Sequence, residues 1–209
     1  MNKIFYKEHN ILNVTEPDIV PFILKNFGYS LFTSLNIPLT YKPFPNVEKP
    51  LIDEGDLDLL LVNPMQPHFT YELEFKRIKI KYDFKLGETI NKLNDLEKAV
   101  KQVKKRLEIG FHKCYLVIVS VFYGEDKEAN NIFFKKASSK TLDLIYDSDY
   151  IKQLDNRAGI VGLEVTQPTS KNFNEQCGMP IYVMRQPLPQ IQPLALTDLI
   201  EKLFCKRLK

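Results

Sequence analysis

Gly55-Asp56-Leu57-Asp58-Leu59-Leu60-Leu61-Val62, then Asn63-Pro64-Met65-Gln66-Pro67, then Phe69-Thr70-Tyr71-Glu72-Leu73-Glu74-Phe75-Lys76, is the stretch that decides the fold. Leu59 to Val62 is an apolar run of buried-strand length. Phe69 to Lys76 alternates: Thr70, Glu72, Glu74 and Lys76 point one way, and Phe69, Tyr71, Leu73 and Phe75 the other. The prolines between them restrict their own φ and the residue before them, which is turn chemistry. An antiparallel hairpin turning near Gln66 pairs positions whose numbers sum to about 132. Asp58 then faces Glu74, Asp56 faces Lys76 and Leu60 faces Glu72. Opposed Cβ atoms lie roughly 4.5–5.5 Å apart, so two carboxylates and an ammonium gather at one end of a sheet. Such carboxylates repel, and desolvation adds to the cost. Lys76 compensates in part, and a divalent cation is expected to supply the remainder.

Working outward, Arg77-Ile78-Lys79-Ile80-Lys81-Tyr82 keeps alternating and is expected to project as an edge ribbon with Arg77, Lys79 and Lys81 on one face. The spacing of Ile90, Leu93, Leu96, Val100, Val103 and Leu107 predicts a helix from Glu88 to Ile109, stopped by Gly110. Its other side carries Lys92, Lys98, Lys101, Lys105 and Arg106. Lys113 to Phe122 reads as a strand buried on both faces, parallel to an earlier strand because a crossover helix precedes it. Upstream, Thr15 as N-cap and Pro17 in the first turn predict a helix to about Asn26, with Gly28 as its stop and Ile19, Phe22, Ile23 and Phe27 buried. Pro38 to Lys42 reads as a strand fragment among prolines. Downstream, strands are expected at Ile132 to Lys135, Gly159 to Val165 and Ile181 to Arg185, and helices at Thr141 to Leu154 and Leu194 to Leu208. Pro187, Pro189 and Pro193 mark an extended linker.

The fold class expected is α/β: a central mixed sheet of four to five strands flanked by helices. The 209 residues suit a single domain, with a core over about 15–122 and residues 123–209 as a C-terminal elaboration. The composition, 44% apolar and 26% charged, is that of an ordinary globular protein; a net charge of +3 permits an anionic partner without demanding one. Cys114, Cys177 and Cys205 form no CxxC and leave an odd thiol over, which suits a reducing compartment. No apolar run approaches the ~20 residues of a membrane span, and the first residues lack a signal-peptide apolar region. A cytoplasmic protein is the expectation.

The order of these features resembles the PD-(D/E)XK nuclease superfamily, whose core is restriction-endonuclease-like. Gly55-Asp56-Leu57-Asp58-Leu59-Leu60 is similar to the Gly-x-x-Asp signature of archaeal Holliday junction resolvases and restriction-like enzymes. Glu74-Phe75-Lys76 stands where their Glu-x-Lys does. The resemblance covers about Thr15 to Phe122. It implies that Asp58 and Glu74 ligate Mg²⁺ or Mn²⁺, that the carbonyl of Phe75 is a third oxygen donor, and that Lys76 orients or helps deprotonate the attacking water. Relatives often add a glutamate from the first helix, for which Glu16 is the nearest match and Glu8 the fallback. Many carry a glutamine on the helix after Glu-x-Lys, a place Gln102 fills; Arg106 stands where some relatives have a tyrosine. The activity implied is hydrolysis of DNA phosphodiester bonds, with RNA left open as substrate and a homodimer as the assembly. Lys98, Lys101, Lys105, Arg106 and Arg77 would follow the phosphates.

Each group also has a plainer reading. Asp56 and Asp58 can blunt the start of a strand, and Glu72 and Glu74 can be solvated alternates. Asp56 and Glu72 read as accessory or surface groups rather than ligands. The lysine side of the helix can be a solvated face. His9, His68 and His112 are scattered, Cys114 reads as core, and Ser120 and Ser138–Ser139 lack triad partners. No Walker loop, dinucleotide fingerprint or zinc-spaced Cys/His set is present. The alternative function is a catalytically inactive module of the same fold that binds nucleic acid or a protein partner.

Overall fold

The computed structural model describes residues 16–48, 50–52, 56–83, 85–126, 131–134, 137–165 and 180–205, with backbone alone for 16, 125, 126 and 131–134. Glu8, His9, Thr15, Gly55, Cys177 and the helical end expected beyond Cys205 lie outside the described residues.

Helix α1 (Glu16–Ser34) is followed by strands β1 (Lys42–Val47), β2 (Leu57–Val62), β3 (Tyr71–Asp83) and β4 (Gly87–Asn91). Then come α2 (Asp95–Ile109), β5 (Lys113–Asp126), β6 (Asn131–Phe134), α3 (Ser139–Tyr146) and α4 (Asp149–Lys152). β7 (Gly159–Val165), β8 (Ile181–Arg185) and α5 (Leu194–Ile200) complete the order, and a π-helical turn over Glu201–Cys205 continues α5. Among the described residues one mixed sheet contains eight strands, in the order β1-β2-β3-β5-β7-β8, with β4 on β3 and β6 on β5. The four or five central strands expected are therefore extended at the edges. The centre, β3-β5-β7, is parallel. β5 runs beside β3 from Tyr71↔Lys113 to Tyr82↔Gly124, as its crossover helix α2 requires.

The pleat divides the interior in two. Leu60, Val62, Ile78, Ile80, Leu116 and Ile118 face the layer that carries α2, with Leu96, Ala99, Val103 and Leu107. Leu59, Leu61, Leu73, Phe75, Val117 and Val119 face the α1 layer, with Ile19, Val20, Ile23 and Leu31.

Several boundaries differ from expectation. α1 passes through Gly28 because Leu31 and Phe32 continue its buried stripe to the end of the helix. β1 begins where a strand was expected to end, and it contains Pro43 and Pro45. It is an edge strand, where a missing N–H can face away from the ladder. The residues read as the first turn of the long helix form β4 instead. Gly87, at φ 75°, closes a hairpin that pairs Lys79–Asp83 with Gly87–Asn91, and α2 starts only at Asp95. Residues 77–82 are consequently no projecting ribbon; all of them pair with β5, and 79–82 pair with β4 as well. The single late helix divides into α3 and α4, each capped by a serine: Ser138 accepts from Thr141 N and Ser148 from Ile151 N.

A candidate metal centre in a notch of the sheet

The turn at residues 63–67 sets the register. Leu59 pairs with Leu73, Leu60 with Glu72 and Leu61 with Tyr71, so every pair sums as the sequence arithmetic required. β5 occupies one edge of β3 along almost its whole length, so β2 and β4 must share the other. β2 covers 71–73 and β4 covers 79–83. Among the described residues, 74–78 have no strand neighbour on that edge. This is the notch.

Asp58 stands at its rim, one residue past the last β2–β3 pair. Its Oδ2 accepts the backbone N–H of Phe75 at 2.6 Å, doing for Phe75 what a strand partner would. The carbonyl of Thr70 accepts from Lys113 on β5, so alternate residues of β3, Phe75 included, turn both N–H and C=O to the opposite edge. The Phe75 carbonyl thus faces the notch beside the Asp58 carboxylate. Glu74, extending the register, lies opposite Asp58 on the α2 face. Lys76 follows on the same face, its ammonium 3.6 Å from Asp95 in the first turn of α2.

Glu72 and Glu74 are not solvated. Glu72 is 0% exposed and Glu74 4%. Both oxygens of Glu72, and Oε2 of Glu74, lack a hydrogen-bond partner among the described residues. Burial is the main cause of a raised pKa at each acid: about 6 for Asp58, about 8 for Glu72 and about 9 for Glu74. Asp56 pushes Asp58 further up, and Asp58 and Glu72 do the same to Glu74. The opposing influences are the Phe75 N–H and Lys76 at Asp58, and Arg106 at all three.

Arg106 is the correction the structure makes to the charged helix face. It was expected among phosphate-contacting residues at the surface, yet it is 3% exposed, and its charge acts on all three acids. Its Nη2 donates to the Asp56 carbonyl at 3.0 Å, while Nε has no hydrogen-bond partner among the described residues. The signal was its position two helical turns after buried Ala99, which places it on the flank of the apolar stripe. Glu72 also had a signal, since an acid opposite the middle of Leu59–Val62 cannot reach solvent. Asp56 is exposed and contributes its carbonyl to Arg106. Gln102, half-buried, lies one turn before Arg106 on the flank that also carries Asp95.

Lys98, Lys101 and Lys105 are on the exposed side of α2, where Lys101 pairs with Glu97 at 2.6 Å. Arg77 alternates to the α1 face of β3, so it shares no surface with them. Glu16 begins α1, whose Pro17 carbonyl accepts from Asn46 of β1 at 3.0 Å; Val47, next in β1, pairs with Leu57. The helix start is thereby tethered toward the Asp58 end of the sheet. The remaining sequence candidates have structural roles. His112 Nδ1 lies 2.9 Å from the Gln190 carbonyl, His68 packs on Phe69, and Ser138 caps α3. Ser120, Cys114 and Cys205 are buried.

Asp58, Glu74 and the Phe75 carbonyl form a hard-oxygen set of the kind Mg²⁺ accepts while keeping several waters, and the oxygens lacking partners suit a cation. Among the described residues, no three Asp, Glu, His or Cys side chains form a ready cage. No helix among them is long and apolar enough to cross a membrane.

No family model matches this chain, and no curated protein matches it. Among solved structures it is similar to Pyrococcus furiosus SfsA, described in complex with Ca²⁺, at 11% identity and a TM-score of 0.33, over 80% of this chain. The alignment spans 60% of that protein's length.

Proposed function

We propose that this chain is a nuclease of the PD-(D/E)XK kind, hydrolysing DNA phosphodiester bonds with Mg²⁺ or Mn²⁺ at the notch. The observation that carries this reading is the Asp58 carboxylate on the Phe75 N–H, across from Glu74, at the stretch of the β3 edge that has no strand neighbour among the described residues. Asp58, Glu74 and the Phe75 carbonyl would hold the cation. When bound, it makes a coordinated water more acidic and stabilises charge developing on the phosphate. Phe75 N–H orients Asp58, and Lys76 positions the attacking water from the same face. Lys98, Lys101 and Lys105 supply an exposed basic side on the helix that covers this face, suited to a polyanionic backbone. The test is cleavage of supercoiled plasmid, branched DNA and single-stranded RNA in Mg²⁺ or Mn²⁺. Asp58→Asn and Glu74→Gln are expected to abolish cleavage, and Lys76→Ala to slow it about a hundredfold or more, the scale of a lost proton-transfer group. Wild type inert on every substrate, or Lys76→Ala as fast as wild type, overturns the reading.

One observation favours the non-catalytic alternative. Arg106 is a permanent cation already buried against these acids, and Asp95 already engages Lys76. A binding module built this way would hold DNA equally well in chelator and never cut it. Filter binding with and without Mg²⁺ separates the two.

A further inference from the structure

The contacts that fix His112 and His68 leave part of each ring unused. Five rings form a ladder at the end of the sheet where β3 and β5 begin. Tyr41 stacks on Tyr71 with centroids 4.9 Å apart, and Tyr71 on His112 at 6.0 Å. His112 meets Phe69 edge-on at 4.9 Å, and Phe69 packs on His68 at 4.0 Å. Burial falls along the ladder: Tyr41 and Tyr71 are buried, His112 and Phe69 half-buried, and His68 exposed. Beside it, the Lys113 ammonium lies 5.1 Å from the centre of the Tyr71 ring. Closing the α1 layer accounts for the two tyrosines. It does not account for the outer end, where an exposed ring buries little apolar area. Lys113 makes no ion pair with an acid among the described residues. The charged side chains that act on His112 are Lys113 and His68, both of the cationic kind.

Ring faces beside cations, with no acid paired to Lys113, fit a planar ring that carries negative charge close by. A nucleotide unit is that chemistry: a base that stacks and a phosphate that seeks an ammonium. Only an unpaired base offers its face, so the ligand is a single strand. We propose that His68, Phe69 and Lys113 form a stacking platform for an unpaired base of a nucleic-acid strand, the two rings taking the base and Lys113 the adjoining phosphate. The inner rings hold the outer ones in place, so little side-chain freedom is lost on binding. Tyr71 stands three residues before Glu74 and on the other face of the sheet, so about 10 Å of β3 separates the platform from the notch. The platform needs no cation and does not rest on the metal reading.

Competition anisotropy on the full chain, in chelator, tests it. The probes are a short thymidine oligonucleotide, its abasic analogue of the same length, the corresponding duplex, and polyglutamate. Wild type should bind the thymidine strand about fivefold or more tighter than the abasic one, the low end of stacking for one base. The duplex should compete no better than the abasic strand. His68→Ala, which changes an exposed ring, should remove the preference for bases and leave the abasic affinity unchanged. Lys113→Gln should weaken both strands alike and reduce the salt slope by about 0.7, the share of one phosphate on a single strand. Equal binding of the two strands by wild type overturns the platform. So does a His68→Ala protein that keeps the preference, or a Lys113→Gln protein with the wild-type slope. Polyglutamate that displaces the thymidine strand as well as that strand displaces itself makes the surface a docking site for acidic protein and overturns it too. The measurement contains no divalent ion, so the two readings fail separately. A protein that cuts nothing in Mg²⁺ leaves the platform standing, and a lost base preference leaves the notch as it was.

Discussion

Glu72 and Glu74 make the stability of this protein depend on pH in an unusual direction. In the metal-free folded state they hold protons that the unfolded chain, with carboxyls near 4, has lost. The folded state binds more protons through the window from about 4 to 9, so their contribution to stability falls as pH rises. Asp58, raised to about 6, adds to the lower part of that fall. Asp155 acts in the opposite sense and elsewhere: its hydrogen bonds with Arg157 hold it at about 2, so its contribution is lost only as pH drops below about 4. Glu72→Gln removes one titrating acid. Its melting temperature in chelator should therefore gain on wild type as pH goes from 5 to 9; a constant difference across that range refutes the assignment. The opposition of Asp58 and Glu74 was legible because a short proline turn leaves few registers. Arg106 was not, because a long basic residue on a helix flank reads as solvated until the strand beneath it proves to carry acids.

At the scale of elements, Gly110 illustrates a stop that both local and tertiary structure require. It ends α2 at φ 97°, and its N–H reaches the Arg106 carbonyl. A Cβ there would lie 2.5 Å from Pro193 Cδ. Gly110→Ala is expected to destabilise the protein by about 1–3 kcal/mol in urea unfolding, from left-handed strain and the collision together. That helix end was readable from the glycine. The helix start was not: Ile90 and Leu93 fit a helical period as well as they fit a hairpin, and only the pairing of Lys79–Asp83 with Gly87–Asn91 separates the two. Gly28 shows the reverse case, a glycine read as a stop that the burial of Leu31 overrides. The two prolines of β1 hid a strand because they are admissible only at a sheet edge, and edge status is a tertiary property.

For the whole molecule, the parallel β3–β5 pair and its crossover helix followed from alternation and chain direction. The extent of the sheet followed only in part: β6 lies where a strand was expected near Ile132, whereas β4 exists through its partner β3 rather than through a strong pattern of its own. Leu73, 0% exposed at the centre of the α1 layer, should cost about 2–5 kcal/mol on substitution by alanine, read as a lower urea midpoint with unchanged slope. The linker after β8 is less passive than its prolines suggested. Gln190 Nε2 donates to the carbonyls of Leu107 and Phe111. Gln192 Nε2 donates to the Pro67 carbonyl at 2.9 Å, and its Oε1 accepts from the Thr70 N–H. Gln192→Ala leaves the Thr70 N–H without its acceptor and the Pro67 carbonyl with the Thr70 hydroxyl alone, and should lower stability by about 1–3 kcal/mol.

Pro67 and Gln192 are 125 positions apart. During translation, the hairpin turn therefore waits for a partner that leaves the ribosome only after all eight strands of the described residues have been made. A polypeptide stalled before that point leaves the Thr70 amide without its acceptor, and becomes prey for quality-control proteases.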